Sequence, residues 1–359
     1  MEIDEILSWY YLVDKNIKPA KFLICKNIYV EVSEEEIKNL EEKELWKLHE
    51  KYSKEFKKIL KDIKESKIEI KEFSQTSKKG CNFLELKIEL SKRLLNPCRM
   101  CERRCLVNRF EKRGFCNLLN KTYVSSYFLH LGEETPLIPS GTIFFCGCNF
   151  KCAYCQNWEI SQFSENGFIV DSKKLSIIER RLREEGARNI NFVGGNPDQH
   201  LHTIVESLKF LDINVPILWN SNAYASIETM KILLDLVDIW LPDFKYGNNE
   251  CAKRLSLVEN YFEIVGRNIK MMYENEDPII IRHLVLPNHI ECCTNKVLTW
   301  ISENCKNALV NVMKQYRPDY LVKNEIEKFR EISRVLNKNE IEKAYKIASE
   351  LKLNFEYIS

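Results

Sequence analysis

Six short apolar runs punctuate the chain between residues 142 and 313. They are TIFFC (142–146), NINFV (189–193), VPILW (215–219), VDIWL (237–241), IIIRHLVL (279–286) and ALVNVM (308–313). Each has the length of a strand buried on both faces. Amphipathic stretches separate several of them. In SKKLSIIERRLREEGA, Ser172 is the expected N-cap and Gly186 the expected stop, and SIETMKILLDL opens on Ser226 in the same way. Continuous apolar strands spaced by helices predict an α/β fold with a parallel sheet covered on its outer face. Six units are too few for a closed eight-fold barrel and fit a partial (β/α)6 barrel. Polar, Gly-containing or ionisable residues follow each strand: the cysteine loop, GGNPDQH, NSNAY, PDFKYG, PNH and KQYRPDY. In parallel α/β folds that edge carries the active site.

The pattern before residue 95 is different. From Ser33 to Leu95 the chain is rich in Lys and Glu at helical spacing, with Trp46, Leu48, Phe56, Ile59, Leu60 and Ile63 forming one apolar stripe. This predicts a charged, solvated helical appendage that packs one face and carries no chemistry. The expected divisions are a helical N-terminal region (1–95), a Cys-rich segment (96–135), the partial barrel (136–320) and a helical C-terminal tail (321–359).

Composition narrows the class. The 359 residues are 45% hydrophobic and 30% charged with a formal net charge of +2, so neither a nucleic-acid footprint nor a polybasic membrane surface is expected. The first 30 residues lack signal-peptide order, and no run approaches a membrane span. The expected location is cytoplasmic. In a reducing compartment the 14 cysteines read as metal or cluster ligands rather than disulfides.

Two cysteine groups stand out. Cys148, Cys152 and Cys155 follow the first apolar run as C-x3-C-x2-C, a spacing that lets three thiolates reach one compact centre from one loop. A structural zinc site would want a fourth ligand. A [4Fe–4S] cluster held by three cysteines leaves one iron open for an exogenous ligand. Cys146 points along the preceding strand and reads as a bystander. Upstream, Cys98, Cys101, Cys105 and Cys116 are spaced C-x2-C-x3-C-x10-C, a complete set for a closed site of either zinc or a second [4Fe–4S] cluster. Arg99, Arg103, Arg104, Arg109 and Arg113 flank it, to offset thiolate charge, to meet an acidic partner, or as a solvated basic face.

The loop Cys148-Asn-Phe-Lys-Cys152-Ala-Tyr154-Cys155 resembles the signature of radical S-adenosylmethionine (SAM) enzymes. The wider string SGTIFFCGCNFKCAYCQNWEIS is similar to the pyruvate formate-lyase activating enzyme group and its relatives, over roughly residues 97 to 318. The resemblance implies a [4Fe–4S] cluster on Cys148, Cys152 and Cys155 as the catalytic centre, whose open iron binds S-adenosylmethionine. One-electron reduction then yields a 5′-deoxyadenosyl radical that abstracts hydrogen from a substrate. It also implies roles for further residues. Gly194 and Gly195 would receive the methionine amino group on their backbone, where Asn196 replaces the usual acidic residue. Asn220, Ser221 and Asn222 would lie near the ribose and carboxylate. In the D-x-K motif, Lys245 would contact the carboxylate and Asp243 would help hold a monovalent cation. Arg282 would lie near the nucleoside, and Tyr154 would flank the adenine.

The partners implied are a low-potential electron donor such as ferredoxin or flavodoxin, and a glycyl radical enzyme or another protein as substrate. Neither nucleic acid nor membrane is expected. The competing class is a cysteine-rich iron–sulfur or zinc redox sensor without SAM chemistry. Cys25, Cys81, Cys251, Cys292, Cys293 and Cys305 show no ligand spacing, and adjacent Cys292 and Cys293 are expected to diverge too far to share a metal. His200, His202, His283 and His289 read as structural hydrogen-bonders near the active edge.

Overall fold

The computed structural model describes residues 3–65 and 81–355. The helical reading across 66–80 therefore lies outside the described residues. Among the described residues eight strands form: β1 (Thr122–His130), β2 (Ser140–Phe145), β3 (Phe168–Val170), β4 (Ile190–Gly194), β5 (Ile217–Ser221), β6 (Ile239–Pro242), β7 (Ile280–Leu284) and β8 (Leu309–Met313). The six apolar runs correspond to β2 and β4–β8. Strands β2, β4, β5 and β6 pair in parallel, as do β7 and β8. Parallel bridges Trp240–Ile279 and Asp243–Arg282 carry the arc from β6 to β7. The result is an open parallel barrel of six strands, as the pattern predicts.

Two strands were not expected. β1 pairs antiparallel along the outer edge of β2, and three-residue β3 pairs antiparallel along β1. They occupy the edge on which a further parallel strand would extend the barrel, and most of β1 is only half-buried. An edge strand of this kind lacks the continuous apolar run of the buried strands.

The helix caps follow the sequence with one correction. Helix Ser172–Glu184 starts one residue earlier than expected, because the Asp171 side chain accepts from Lys174 N at 2.8 Å and is the N-cap. Gly186 ends the turn at φ +105°, a conformation that favours glycine. Ser226 caps helix Ile227–Leu234 by accepting from Thr229 N at 3.2 Å, as expected.

The N-terminal region is not a solvated appendage. Helix Glu42–Lys64 buries Leu45, His49, Tyr52, Phe56, Leu60 and Ile63, so two polar-tipped residues belong to the inward stripe, while Trp46, Leu48 and Ile59 are only partly buried. The first helices plug the end of the barrel where the strands begin. Leu7 and Tyr10 pack with Leu218, Ile239, Ile280 and Leu309. Asp238, just before β6, accepts from Trp9 Nε1 at 3.0 Å, Lys21 N at 3.1 Å and Ile217 N at 2.9 Å. Lys21 pairs with Asp277, and Lys87 with Asp235 at 2.9 Å, all with side chains at most 1% exposed. With this end plugged, the C-terminal edge is left as the face for chemistry. Among the described residues no helix is long and apolar enough to cross a membrane.

Candidate active site

A cavity of about 430 Å³ opens at the C-terminal edge of the strands. The loop after β2 brings Cys148, Cys152, Tyr154 and Cys155 to it. The end of β4 contributes Gly194 and Gly195, and the end of β5 contributes Asn220, Ser221 and Asn222. Asp243 and Lys245 come from beyond β6, and Arg282 from β7. Every residue the sequence singled out around the three-cysteine loop lines this one space. Cys146 does not line it and is fully buried, as a bystander would be.

Each thiol of the loop takes part in a hydrogen bond. Phe150 N donates to Cys148 Sγ at 3.3 Å, and Ser256 Oγ donates to Cys152 Sγ at 3.0 Å. Cys155 Sγ and Ser161 Oγ lie 3.2 Å apart. Burial pushes the Cys152 thiol up to about 11, with Cys155 adding to the rise, and pushes Cys148 and Cys155 up as well. Such thiols stay protonated at neutral pH until a cationic centre displaces their protons. Among the described residues, one group of three metal-ligating side chains has all its ligand atoms within 4.8 Å, and it contains none of these thiols. Three soft thiol donors on one loop beside a cavity fit an iron–sulfur cluster that keeps one position open. Asn220 lines the same cavity, and its buried Nδ2 has no hydrogen-bond partner.

The other side chains are already engaged. Tyr154 OH meets Tyr246 OH at 2.7 Å, and Tyr246 OH meets Ser256 Oγ at 2.5 Å, so a hydrogen-bonded chain runs from Tyr154 to the Cys152 sulfur. Lys245 pairs with Asp243. Arg282 pairs with both Glu133 and Glu134, and its Nε donates to Glu134 at 2.7 Å; these carboxylates, not the sequence motif, set its position. Burial would push the Glu134 carboxyl up, yet Arg282 holds it below the usual range. Neither glutamate carried a signal in the sequence, because both lie between strands and meet Arg282 only through the fold.

The glycine pair is needed for a backbone reason. A Cβ on Gly195 would lie 2.1 Å from Gly147 O, and one on Gly194 would lie 2.4 Å from Phe145 O. The absent side chains let the β4 loop press against the cysteine loop; Gly194 also has φ +114°. Asn196, in the position where an acidic residue is usual, is used internally: its Oδ1 accepts from Asn222 N at 3.1 Å and its Nδ2 donates to Gln199 at 3.1 Å. It ties the β4 loop to the β5 loop.

The four upstream cysteines converge beside this site. A Cβ on Gly114 would lie 3.6 Å from Cys116 Sγ and 3.7 Å from Cys105 Sγ. Burial raises Cys101 and Cys116, and the neighbouring thiols raise them further. These thiols too lie outside the one compact group. Their flanking arginines are not a solvated basic face. Arg109 is fully buried and opposes the rise at Cys116. Arg99 binds Glu42, Arg104 binds Glu228, and Arg113 binds Glu165. Arg103 stacks over Phe115 at 4.0 Å and donates to Asn149 O at 2.9 Å, in the three-cysteine loop.

His200, His202 and His283 are buried hydrogen-bonders, as expected: His200 Nε2 meets Cys146 O at 2.7 Å, His202 meets Asn120 O at 2.8 Å, and His283 meets Phe244 O at 2.7 Å. One expectation fails. Cys292 does have ligand neighbours, Cys251 and His289, which form the compact group noted above.

A family model described as the radical SAM superfamily matches residues 142–301, which hold the three-cysteine loop and most of the cavity. The chain carries a radical SAM superfamily domain. It is 45% identical over 357 residues to MJ0674 of Methanocaldococcus jannaschii, an uncharacterised protein, covering 98% of this chain and 99% of that one. MJ0808 of the same organism is 32% identical over 85 residues, 18% of this chain and 24% of that one. Streptococcus suis SuiB bound to precursor peptide SuiA aligns with 17% identity and a TM-score of 0.42, over 58% of this chain and 46% of that chain. A structure of TYW1 with a lysine–pyruvate adduct aligns with 13% identity and a TM-score of 0.39, over 62% and 76% respectively. The chain thus spans about half the length of SuiB. Radical SAM membership makes the protein an enzyme and implies a [4Fe–4S] cluster and S-adenosylmethionine as its cofactors.

Proposed function

We propose that the cavity at the C-terminal edge is a radical SAM active site in which Cys148, Cys152 and Cys155 hold the [4Fe–4S] cluster and the space beside them takes S-adenosylmethionine. One observation carries this: three thiols and the neighbouring positions named by the family motifs line one space of about 430 Å³. A cluster-only redox sensor has no use for such a cavity, nor for the residues that line it. When bound and reduced, the cluster and S-adenosylmethionine supply a 5′-deoxyadenosyl radical that abstracts hydrogen from the substrate.

The chain's own residues bind and orient. The unpartnered Asn220 Nδ2 offers a donor to a ligand acceptor. Lys245, released from Asp243, offers a cation to a carboxylate. The glutamates spread over Arg282 keep that guanidinium fixed on the cavity wall. The hydrogen bonds donated to the Cys148 and Cys152 sulfurs favour thiolate character there, and Ser161 beside Cys155 helps orient the third.

The finer reading is activation of a glycyl radical enzyme, with electrons from a ferredoxin or flavodoxin. It is supported by the cysteine-loop string and the D-x-K motif. For the upstream group, the convergence of four thiols supports a closed site that takes either a single zinc ion or a second [4Fe–4S] cluster. Anaerobic reconstitution and reduction are expected to give conversion of S-adenosylmethionine to 5′-deoxyadenosine. A Cys152→Ser variant that still performs it would refute the assignment. Iron remaining in the Cys148/Cys152/Cys155 triple variant identifies a second cluster there, and zinc identifies a structural site. An organic-radical resonance on a co-incubated glycyl radical enzyme tests the finer reading.

A further inference from the structure

The compact ligand group lies outside both cysteine sets. Cys251, His289 and Cys292 place one sulfur, one ring nitrogen and one sulfur within 4.8 Å of one another. They come from two loops. Cys251 is in the first turn of helix Asn249–Ser256, six residues after Lys245; His289 and Cys292 follow β7, in and just before the segment Ile290–Asn295. None of the three lines the active-site cavity.

The two loops are held together at this point. Asn248 Oδ1 accepts from Cys251 N at 2.8 Å, while Asn248 Nδ2 donates to Cys292 O at 2.9 Å. Gly247 permits the approach: a Cβ there would lie 2.7 Å from Cys292 O and 2.8 Å from Cys293 O. His289 is oriented as well. Its Nδ1 lies 2.7 Å from Pro287 O, which can only accept, so Nδ1 carries the proton and Nε2 carries the lone pair. A metal-binding histidine is commonly fixed by such a second hydrogen bond to a carbonyl. Arg254 NH2 stands 3.3 Å from Nε2, and its other amino group binds Glu331. Glu331 therefore retains the arginine when a metal takes the lone pair.

We propose that Cys251, His289 and Cys292 form a third metal site that takes a single zinc-type divalent ion. Two thiolates and a neutral imidazole are the ligand set that zinc prefers, and 4.8 Å is a spacing from which small side-chain movements close a tetrahedral site. Binding releases the two thiol protons to solvent, and no redox step is involved. The ion fastens the loop carrying Asp243 and Lys245 to the one that follows Arg282. Its fourth position is left to water or to Cys293, whose Sγ is 3.9 Å from that of Cys292.

Zinc alone is the probe. The full chain, reconstituted with iron and sulfide anaerobically, is dialysed against buffered zinc and its metals are counted. The wild type is expected to hold one zinc more per chain than either Cys251→Ala or Cys292→Ala, with iron equal in all three. In a Cys116→Ala variant the same zinc equivalent is expected to persist, which separates this site from the upstream group. The wild-type melting temperature is expected to rise with free zinc and return on chelation, by mass action, and not to respond in a Cys251→Ala/Cys292→Ala double variant. Equal zinc in wild type and a folded double variant overturns the proposal. So does a mass deficit of two hydrogens that reduction restores, which would make Cys251 half of a disulfide.

Discussion

Replacing Lys87 by Met is expected to destabilise the protein far more than a surface change, although Lys87 is remote from the cavity. Its Nζ donates to Asp235 Oδ2 at 2.9 Å, to Ile232 O at 3.0 Å and to His49 Nε2 at 2.8 Å, and sits 4.4 Å over the Phe83 ring. Methionine preserves the length and apolar stem but leaves the Asp235 carboxylate buried, with Ser53 Oγ at 3.2 Å as its remaining side-chain donor. Removing one partner of a buried ion pair costs about 3–5 kcal/mol, whereas replacing both partners by apolar groups is often close to neutral. Urea slopes rise with size from the about 1–3 kcal/mol/M of small proteins, so the single variant's midpoint should fall by on the order of 1 M. The double variant Lys87→Met/Asp235→Leu should recover most of that loss. Unfolding of the full chain followed by far-UV circular dichroism measures both. A single variant within about 1 kcal/mol of wild type, or a double variant no better than the single, would refute the claim that this pair anchors the N-terminal helices to the barrel.

The Ser256→Ala variant should lower the midpoint potential of the reconstituted cluster, because the lost hydrogen bond to Cys152 Sγ favours the more negative reduced state. A difference of about 1 kcal/mol between states is about 40 mV for one electron, and a spectroelectrochemical titration showing no shift contradicts it. Gly195→Ala should weaken S-adenosylmethionine binding by about tenfold or more by calorimetry, since its Cβ would force the β4 loop off Gly147 O. Burial pushes the Glu179 carboxyl up to about 8 from 4.5, so the folded chain holds a proton that the unfolded chain releases. Stability from this group is therefore lost as pH rises from about 4.5 to about 8. Glu179→Gln should gain on wild type in unfolding free energy between pH 5 and 9, on the order of 1 kcal/mol or more; a gap that does not widen with pH refutes the shift.

The chain's local pattern determined the six parallel strands, their helices and the edge where polar residues gather. A strand buried on both faces must be apolar along its length, and the residue after it must turn. The C-x3-C-x2-C loop was equally legible, because three thiols brought to one cavity by a single loop are encoded by spacing alone. Sequence could not show that Lys21 and Lys87 are buried, since a lysine bound to Asp277 or Asp235 reads like any solvated lysine in a charged helix. Nor could it show Glu133 and Glu134 on Arg282, or Asn196 spent on Asn222. Cys251 and Cys292 lie 41 positions apart, and no local spacing relates them. They meet because β6 and β7 are parallel neighbours whose following loops leave the same edge, and Asn248 and Gly247 let the loops close. Periodicity and spacing act along the chain and were readable there; partnerships across strands depend on register and loop path, which only the folded barrel decides.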